Sequence, residues 1–191
     1  GIYMSVTPIA GCQVTIDGVV ANLRGATAGT PAIRLDRANS STVDVPVMIK
    51  NCTISVEVPV SAANTISGYG IRVNQINDPV VERNTVTINA PNSSAAESEG
   101  ITISGTDATA TALRGIVRYN TVTVNAPACR GIAIASDGTT ASETDDAEVY
   151  GNRVYGGFYD GSSTPHGISI GDCLRGRVYS NYVQGFAAGI L

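Results

Sequence analysis

The sequence contains no tryptophan, only two phenylalanines and one histidine, and its charged residues amount to 15% of 191 positions. No apolar run approaches the ~18 residues that a membrane-spanning helix needs, which argues against membrane insertion. A formal net charge of −4 argues against a nucleic-acid partner, because such proteins normally present a basic face. The i, i+3, i+4, i+7 apolar spacing of amphipathic helices is also missing. Valine, isoleucine, threonine and glycine are abundant instead, and they predict an all-β protein.

Cysteine is sparse and widely spaced. The four cysteines are Cys12, Cys52, Cys129 and Cys173, and no two of them form a CxxC pair. No histidine stands at metal-ligand spacing from any of them, so the sequence offers no thiolate metal site. We therefore predict buried free thiols, no disulfide framework and no cofactor.

Two short patterns alternate along the whole chain. The first is a glycine, once an alanine, followed by apolar-x-apolar: "GIYM" at 1–4, "AIRL" at 32–35, "GIRV" at 70–73, "GITI" at 100–103, "GIAI" at 131–134, "GISI" at 167–170 and "GIL" at 189–191. The second is apolar-x-x-Asn-x-Val: "VERNTV" at 81–86, "VRYNTV" at 117–122, "VYGNRV" at 149–154 and "VYSNYV" at 178–183. Successive glycine patterns lie 22 to 38 residues apart, which indicates a repeat with regular strands and variable loops.

The repeat predicts a solenoid. Alternate residues of a strand face opposite sides, so the two isoleucines of each "GIxI" share one side. A unit of about three short strands cannot bury its apolar side alone, whereas stacked units form a continuous core at ~4.8 Å spacing. We predict one domain over 1–191 with about six coils. The residues expected in one internal stack are Ile71, Ile101, Ile132 and Ile168.

The recurrent asparagines are predicted to be structural. Asn84, Asn120, Asn152 and Asn181 would occupy one corner of successive coils, where asparagine tolerates the left-handed conformation and can share amide hydrogen bonds with its neighbours. The same frame carries cysteine earlier in the chain, in "IAGCQV" at 9–14 and "IKNCTI" at 49–54, so Cys12 and Cys52 are expected to continue the column.

The alternation of "GIxI" with "VxxNxV" over essentially all of 1–191 resembles the right-handed parallel β-helix of the pectate-lyase-like superfamily. The fold class that this implies is all-β, a right-handed single-stranded parallel β-helix. Long Ser/Thr/Ala-rich loops and the lack of a signal peptide are most similar to a bacteriophage tailspike. The chain starts at a glycine and shows no capping segment, so it is expected to be a piece of a longer protein.

The resemblance implies a function, a partner and a location. A tailspike domain would bind and depolymerise bacterial cell-surface polysaccharide (O-antigen or capsule), as a hydrolase and as a homotrimer in the parent protein. Its place would be the tail of the virion, with a secreted bacterial protein as the alternative. The other readings are a polysaccharide lyase of the pectate-lyase type, and a non-catalytic glycan-binding or structural shaft segment.

The candidate catalytic residues are carboxylates that follow "GIxI" strands. Asp137 and Asp172 come just after "GIAI" and "GISI" in successive coils. Glycoside hydrolysis needs two carboxylates about 5 Å apart for retention or roughly 6.5–9.5 Å for inversion, and neighbouring coils supply such spacings. Asp145 and Asp146 stand in the longest loop and offer a calcium site as the alternative to simple solvation.

The candidate substrate-binding residues are aromatic and charged side chains of the outer face. Aromatic rings suit the apolar faces of sugars, and charged groups suit their hydroxyls. The residues assigned to this surface are Tyr150, Tyr155, Tyr159, Tyr179, Arg118 and Glu82. A subunit interface is the alternative use of the same surface. Further candidate sites are Arg34 with Arg72, which would serve a lyase, and Asp160 with His166.

Overall fold

A computed structural model describes residues 1–6, 13–25, 30–37, 46–59, 65–76, 78–93, 97–105, 114–136, 146–156, 164–171 and 175–191. These residues form nineteen β-strands and no helix. Nothing within the described ranges is therefore a helix long and apolar enough to cross a membrane.

The strands pair in parallel and belong to three sheets in strict rotation along the chain. Sheet A contains seven strands: β1 (Ile2–Val6), β4 (Pro31–Arg37), β7 (Tyr69–Asn74), β10 (Ser98–Gly105), β13 (Cys129–Ser136), β16 (His166–Ile170) and β19 (Ala188–Ile190). Sheet B contains six: β2 (Val14–Asp17), β5 (Val47–Lys50), β8 (Val80–Glu82), β11 (Ile116–Arg118), β14 (Glu148–Tyr150) and β17 (Arg177–Tyr179). Sheet C contains six: β3 (Val20–Arg24), β6 (Thr53–Glu57), β9 (Thr85–Asn89), β12 (Thr121–Asn125), β15 (Arg153–Gly156) and β18 (Tyr182–Gln184).

This architecture is a parallel β-solenoid, which confirms the predicted fold class. Each turn contributes one strand to each sheet, and the three strands of a turn correspond to the three short strands expected in each repeat unit. The right-handed winding and the relation to one superfamily stay predictions.

The predicted isoleucine stack lies in the core. Ile101 pairs with Ile71 on one side and Ile132 on the other, and Ile132 pairs with Ile168. All four are at most 1% exposed. Full burial of successive isoleucines at one register position is the apolar column that the repeat predicts.

The glycine of the "GI" pattern is needed for packing between sheets. A Cβ on Gly131 would collide with the side chain of Val154 in sheet C and would lie 2.6 Å from the carbonyl oxygen of Gly167. A Cβ on Gly100 would collide in the same way with the side chain of Val122 and the carbonyl oxygen of Gly131. Only a residue without Cβ allows sheet A to approach sheet C this closely.

The asparagine column forms a continuous ladder at the corner between sheets B and C. The Nδ2 group of Asn84 donates to Oδ1 of Asn120 at 3.0 Å, and Asn120 donates in the same way to Asn152 at 3.0 Å. Asn152 donates to Oδ1 of Asn181, also at 3.0 Å. Each of these oxygens also accepts the backbone N–H of the asparagine one turn earlier, at 2.9 Å. The structural role predicted for the column is confirmed.

Two details of the predicted corner are wrong. The left-handed backbone belongs to the residue before each column position, as at Arg83 (φ 53°) and Tyr119 (φ 57°), and not to the column residue itself. The column continues to Cys52, whose N–H donates to Oδ1 of Asn84 at 2.9 Å. One turn earlier the register places Val19 at the corner, since the carbonyl oxygen of Val19 accepts a hydrogen bond from the backbone N–H of Thr53. Cys12, predicted for that place, lies outside the described residues and before β2.

Buried thiols give a test of the core. Cys52 and Cys129 are free and buried, and burial raises the pKa of the Cys129 thiol to about 12. Because the thiolate is the reactive form, we expect Cys129 to resist iodoacetamide at pH 8 in the native protein and to react fully in denaturant. Peptide mapping by mass spectrometry measures both states. Rapid native alkylation of Cys129 would contradict its place in the core.

Candidate functional site

The outer side of sheet B carries one register row of charged and aromatic residues. Neighbouring strands pair these positions in the order Asp17, Lys50, Glu82, Arg118, Tyr150, Tyr179. The row comes two residues before the column position of each turn, so the sequence pattern predicts it correctly. It brings Glu82, Arg118, Tyr150 and Tyr179 together.

Arg118 connects the acidic and the aromatic parts of this row. Its Nε donates to Oε2 of Glu82 at 2.6 Å, and its Nη1 donates to the hydroxyl of Tyr150 at 2.9 Å. The hydrogen bond to Tyr150 and then Glu82 raise the pKa of Arg118 above its usual value. Glu82 is buried, and its second oxygen lies 2.9 Å from Arg83. The carboxylate therefore positions Arg118 rather than standing open to a ligand.

Three tyrosines form a cluster beyond Arg118, in which Tyr150 is half-buried and the other two are exposed. The rings of Tyr150 and Tyr179 are stacked, with centroids 4.8 Å apart and planes 5° apart. Tyr119 meets Tyr150 edge-on at 5.4 Å. Tyr119 and Tyr179 are 51% and 45% exposed. Sequence reasoning missed Tyr119, although its place just before the column asparagine turns a side chain outward. We call Tyr119, Tyr150 and Tyr179 the tyrosine surface.

Glu148 lies beside the tyrosine surface. The hydroxyl of Tyr179 donates to Oε2 of Glu148 at 3.3 Å. Partial desolvation and then this carboxylate raise the pKa of Tyr179, so its hydroxyl stays protonated at neutral pH. A protonated phenol beside carboxylate and guanidinium groups offers both donors and acceptors to a polyol.

Tyr155 belongs to a separate cluster. It lies on β15 of sheet C, on the other side of the asparagine corner from Tyr150, and its ring centroid is 5.9 Å from that of Tyr182. The aromatic residues predicted from the sequence therefore divide between two faces. Tyr159 is outside the described residues.

The predicted catalytic pair cannot be placed. Asp137 and Asp172 both lie outside the described ranges, as do Asp145 and Asp160. Asp146 is described, and its carboxylate is held by Arg175 at 2.7 and 3.1 Å. That pairing orients Asp146 toward a guanidinium. Among the described residues, no group of three or more His, Cys, Asp or Glu side chains is arranged to hold a metal ion.

The outer side of sheet A brings together a second polar group, which sequence reasoning missed. The residue before each "GI" glycine faces outward, and the register aligns Tyr69, Glu99, Arg130 and His166 on four successive strands. The signal is present in the letters "YGI", "EGI", "RGI" and "HGI". The chemistry of the row becomes visible only once the register shows which of these residues are neighbours.

Arg130 holds two carboxylates in this row. Its Nε lies 2.9 Å from Oε1 of Glu97, and its Nη1 lies 3.9 Å from Oε1 of Glu99. The other oxygen of Glu99 accepts the hydroxyl of Thr102 at 2.6 Å. Burial raises the pKa of Glu97 against the opposing effect of Arg130, and Glu99 adds to the rise.

His166 follows Arg130 in the same row. Burial and then the charge of Arg130 lower its pKa, so the ring is neutral at pH 7. Its Nδ1 finds no hydrogen-bond partner in the part of the chain that is described. The suggested partner Asp160 lies outside the described ranges.

Arg34 and Arg72 are neighbours on sheet A, as the sequence predicts. Arg34 donates to Asp36 at 2.8 Å, and Arg72 donates to Asn74 at 3.3 Å. Each guanidinium also lies over a tyrosine, at 5.6 Å for Arg34 over Tyr3 and 5.4 Å for Arg72 over Tyr69. These contacts offset the repulsion between stacked like charges.

Comparison with known protein families, with curated proteins and with solved structures gives no match.

Proposed function

We propose that this protein binds polysaccharide on the outer side of its solenoid, with the tyrosine surface as the primary contact. The observation that carries the proposal is the parallel stack of the half-buried Tyr150 and the exposed Tyr179 beside Arg118. Such rings offer apolar faces to sugar C–H groups, and the nearby charged groups bond to hydroxyls.

The repeating geometry suits a polymeric ligand. Equivalent side chains recur every ~4.8 Å along the solenoid, so a chain of sugars can contact several strands of one face at once. Contacts repeated in this way raise the overall affinity without requiring a tight single subsite. The ligand class we propose is bacterial surface polysaccharide, either O-antigen or capsule.

The setting we propose is a spike on the tail of a bacteriophage virion, in which the parent protein is a homotrimer. The resemblance of the "GIxI" and "VxxNxV" repeats to tailspikes supports this setting. Light scattering of the parent protein at micromolar concentration tests the assembly, and a monomer would overturn it.

Removal of one tyrosine tests the binding surface. We expect Tyr179→Ala to weaken binding to a polysaccharide about two- to tenfold, because a lost aromatic contact costs roughly 0.5–1.5 kcal/mol. The probe is an array of purified bacterial O-antigen and capsular polysaccharides, followed by biolayer interferometry on those that bind. Tyr3→Ala is the matched control, since Tyr3 is 64% exposed on sheet A.

The same variants separate a glycan site from a subunit interface. Unchanged glycan binding by Tyr179→Ala, together with a loss of oligomer in sedimentation, would assign the tyrosine surface to subunit contact. Equal weakening by Tyr3→Ala would show that the effect is not local to the tyrosine surface.

A further inference from the structure

We infer that the polysaccharide bound on sheet B is uncharged and carries methyl groups, as methyl-terminated deoxy sugars and acetylated sugars do. The inference rests on the proposed polysaccharide-binding function and deepens it by naming the chemical class of the ligand. Two features of the outer side of sheet B carry it: an apolar strip beside the tyrosine surface, and the pairing of the charges around that strip.

The apolar strip crosses three neighbouring strands of sheet B. Its residues are Met48 on β5, Val80 on β8 and Ile116 on β11. They alternate with fully buried core residues and therefore face outward. The register pairs Val80 with Met48 on one side and with Ile116 on the other. All three side chains are half-buried, so each presents apolar surface on the outer face.

The apolar strip lies next to the tyrosine surface. Ile116 precedes Arg118 by two residues, and Arg118 donates to the hydroxyl of Tyr150 at 2.9 Å. Two residues of extended strand span ~6.6 Å and neighbouring strands lie ~4.8 Å apart. A sugar ring packed on Tyr150 therefore has its substituents within reach of Ile116, and the sugars that follow it along the sheet reach Val80 and Met48.

An apolar strip in this position distinguishes between the substituents of a sugar. A methyl group gains free energy when it leaves water for an apolar surface. A hydroxyl group in the same place loses its hydrogen bonds to water and finds no partner among apolar side chains. The apolar strip therefore favours sugars that present a methyl group toward the sheet.

The charged groups around the apolar strip neutralise one another. On one side of it, Arg118 and Arg83 share the carboxylate of Glu82, at 2.6 and 2.9 Å. On the other side, Arg114 donates to both oxygens of Asp78 at 2.7 Å. The other described ion pairs of this face are Lys50–Asp17 at 3.4 Å, Arg175–Asp146 at 2.7 Å and Arg177–Glu148 at 3.6 Å. Each described cation of the face thus has a carboxylate partner.

Paired charges select against an acidic polysaccharide. A carboxylate or sulfate group of a ligand meets a carboxylate of the protein beside each cation, so attraction and repulsion nearly cancel. The formal net charge of −4 adds repulsion at longer range. An uncharged hydroxyl group both donates and accepts, so it can bond to an ion pair without displacing either partner. The face therefore suits a neutral polymer.

Polymers that differ in charge and in methyl content test the ligand class. The probes are neutral bacterial polysaccharides with deoxy or acetylated sugars, dextran, which is neutral without methyl groups, and polysialic acid, which is acetylated and acidic. We expect dextran and polysialic acid to bind at least about tenfold more weakly than the first group in biolayer interferometry, because each lacks one of the two matched properties. Mild alkaline removal of O-acetyl groups separates the sources: a loss of affinity assigns the methyl contact to acetyl groups, and unchanged affinity assigns it to deoxy sugars.

Val80→Thr tests the apolar strip itself. Threonine keeps the shape of valine but replaces one methyl group by a hydroxyl group. We expect affinity for the neutral, methyl-bearing polysaccharides to fall about two- to fivefold, because one apolar contact is lost. Val20→Thr is the matched control, since Val20 is exposed on the outer side of sheet C. Melting temperatures of both variants check that the fold is retained.

Glu148→Gln tests the pairing of charges. This variant removes the carboxylate beside Arg177 and leaves that guanidinium without its ion-pair partner. We expect it to bind polysialic acid more tightly than wild-type protein does, with an affinity that falls between about 0.05 and about 0.5 M NaCl. Binding of the neutral polysaccharides by wild-type protein should change less than about twofold over the same range, because screening acts only on charges.

The results separate the ligand class from the binding function. Tighter binding of polysialic acid than of neutral polymers by wild-type protein would overturn the inference and leave the binding function standing. Equal binding of dextran and methyl-bearing polymers would do the same. Weakening by Tyr179→Ala but not by Val80→Thr would support the tyrosine surface and overturn the role of the apolar strip. Absence of binding to every polysaccharide would overturn both proposals.

Discussion

Replacing Ile132 with aspartate is expected to abolish folding. Ile132 is fully buried between Ile101 and Ile168, in the middle of the isoleucine stack. Nothing in this apolar column can pair with a carboxylate, and burial of an unpaired charge costs several kcal/mol beyond the lost apolar contact. That penalty is comparable to the whole stability of an ordinary domain.

Circular dichroism and the yield of soluble protein measure this effect. Thr85→Asp on the exposed side of sheet C is the matched control, because it introduces the same charge on an outer face. A soluble Ile132→Asp protein with a cooperative β-sheet melting transition would contradict the position of Ile132 in the core.

Asn120→Ala is expected to destabilise the protein by roughly 2–6 kcal/mol. Alanine removes Oδ1, which accepts both the N–H of Asn84 at 2.9 Å and its Nδ2 at 3.0 Å. It also removes the donor that bonds to the carbonyl of Val81 at 2.9 Å and to Oδ1 of Asn152 at 3.0 Å. Each buried polar group left without a partner costs about 1–3 kcal/mol, and at least two donors are affected.

Urea unfolding of Asn120→Ala measures the change in free energy directly. Asn89→Ala on the exposed side of sheet C is the control, since it removes an asparagine outside the ladder. Equal and small losses in the two variants would show that the ladder contributes nothing beyond a surface asparagine.

The fold was predictable because its regularities come from packing. Burial between stacked turns requires isoleucine at positions such as Ile101 and Ile132 and forbids a Cβ at Gly131. The same residue types therefore recur at equivalent positions of successive turns. The asparagine ladder repeats for the same reason. The prediction for Cys12 was wrong because the pattern around it requires little more than apolar residues at the right spacing, and such spacings also occur by chance. The register places Val19 at the ladder position of that turn.

The candidate sites were harder to predict because outer residues are free of packing constraints. The row on sheet B was predictable in part, since Tyr150 and Tyr179 precede asparagines of the column. The contact of Glu97 with Arg130 joins residues of different turns and depends on the pairing of β10 with β13. No local sequence pattern predicts a contact between these two residues, so it was found only from the strand register of the structure.

The most direct test of polysaccharide binding is a crystal structure with a bound oligosaccharide cut from a polysaccharide that the protein binds. We expect a sugar ring packed against Tyr150 and Tyr179, with a hydroxyl group hydrogen-bonded beside Arg118. An oligosaccharide that occupies another surface and leaves these two tyrosines without a contact would contradict the account.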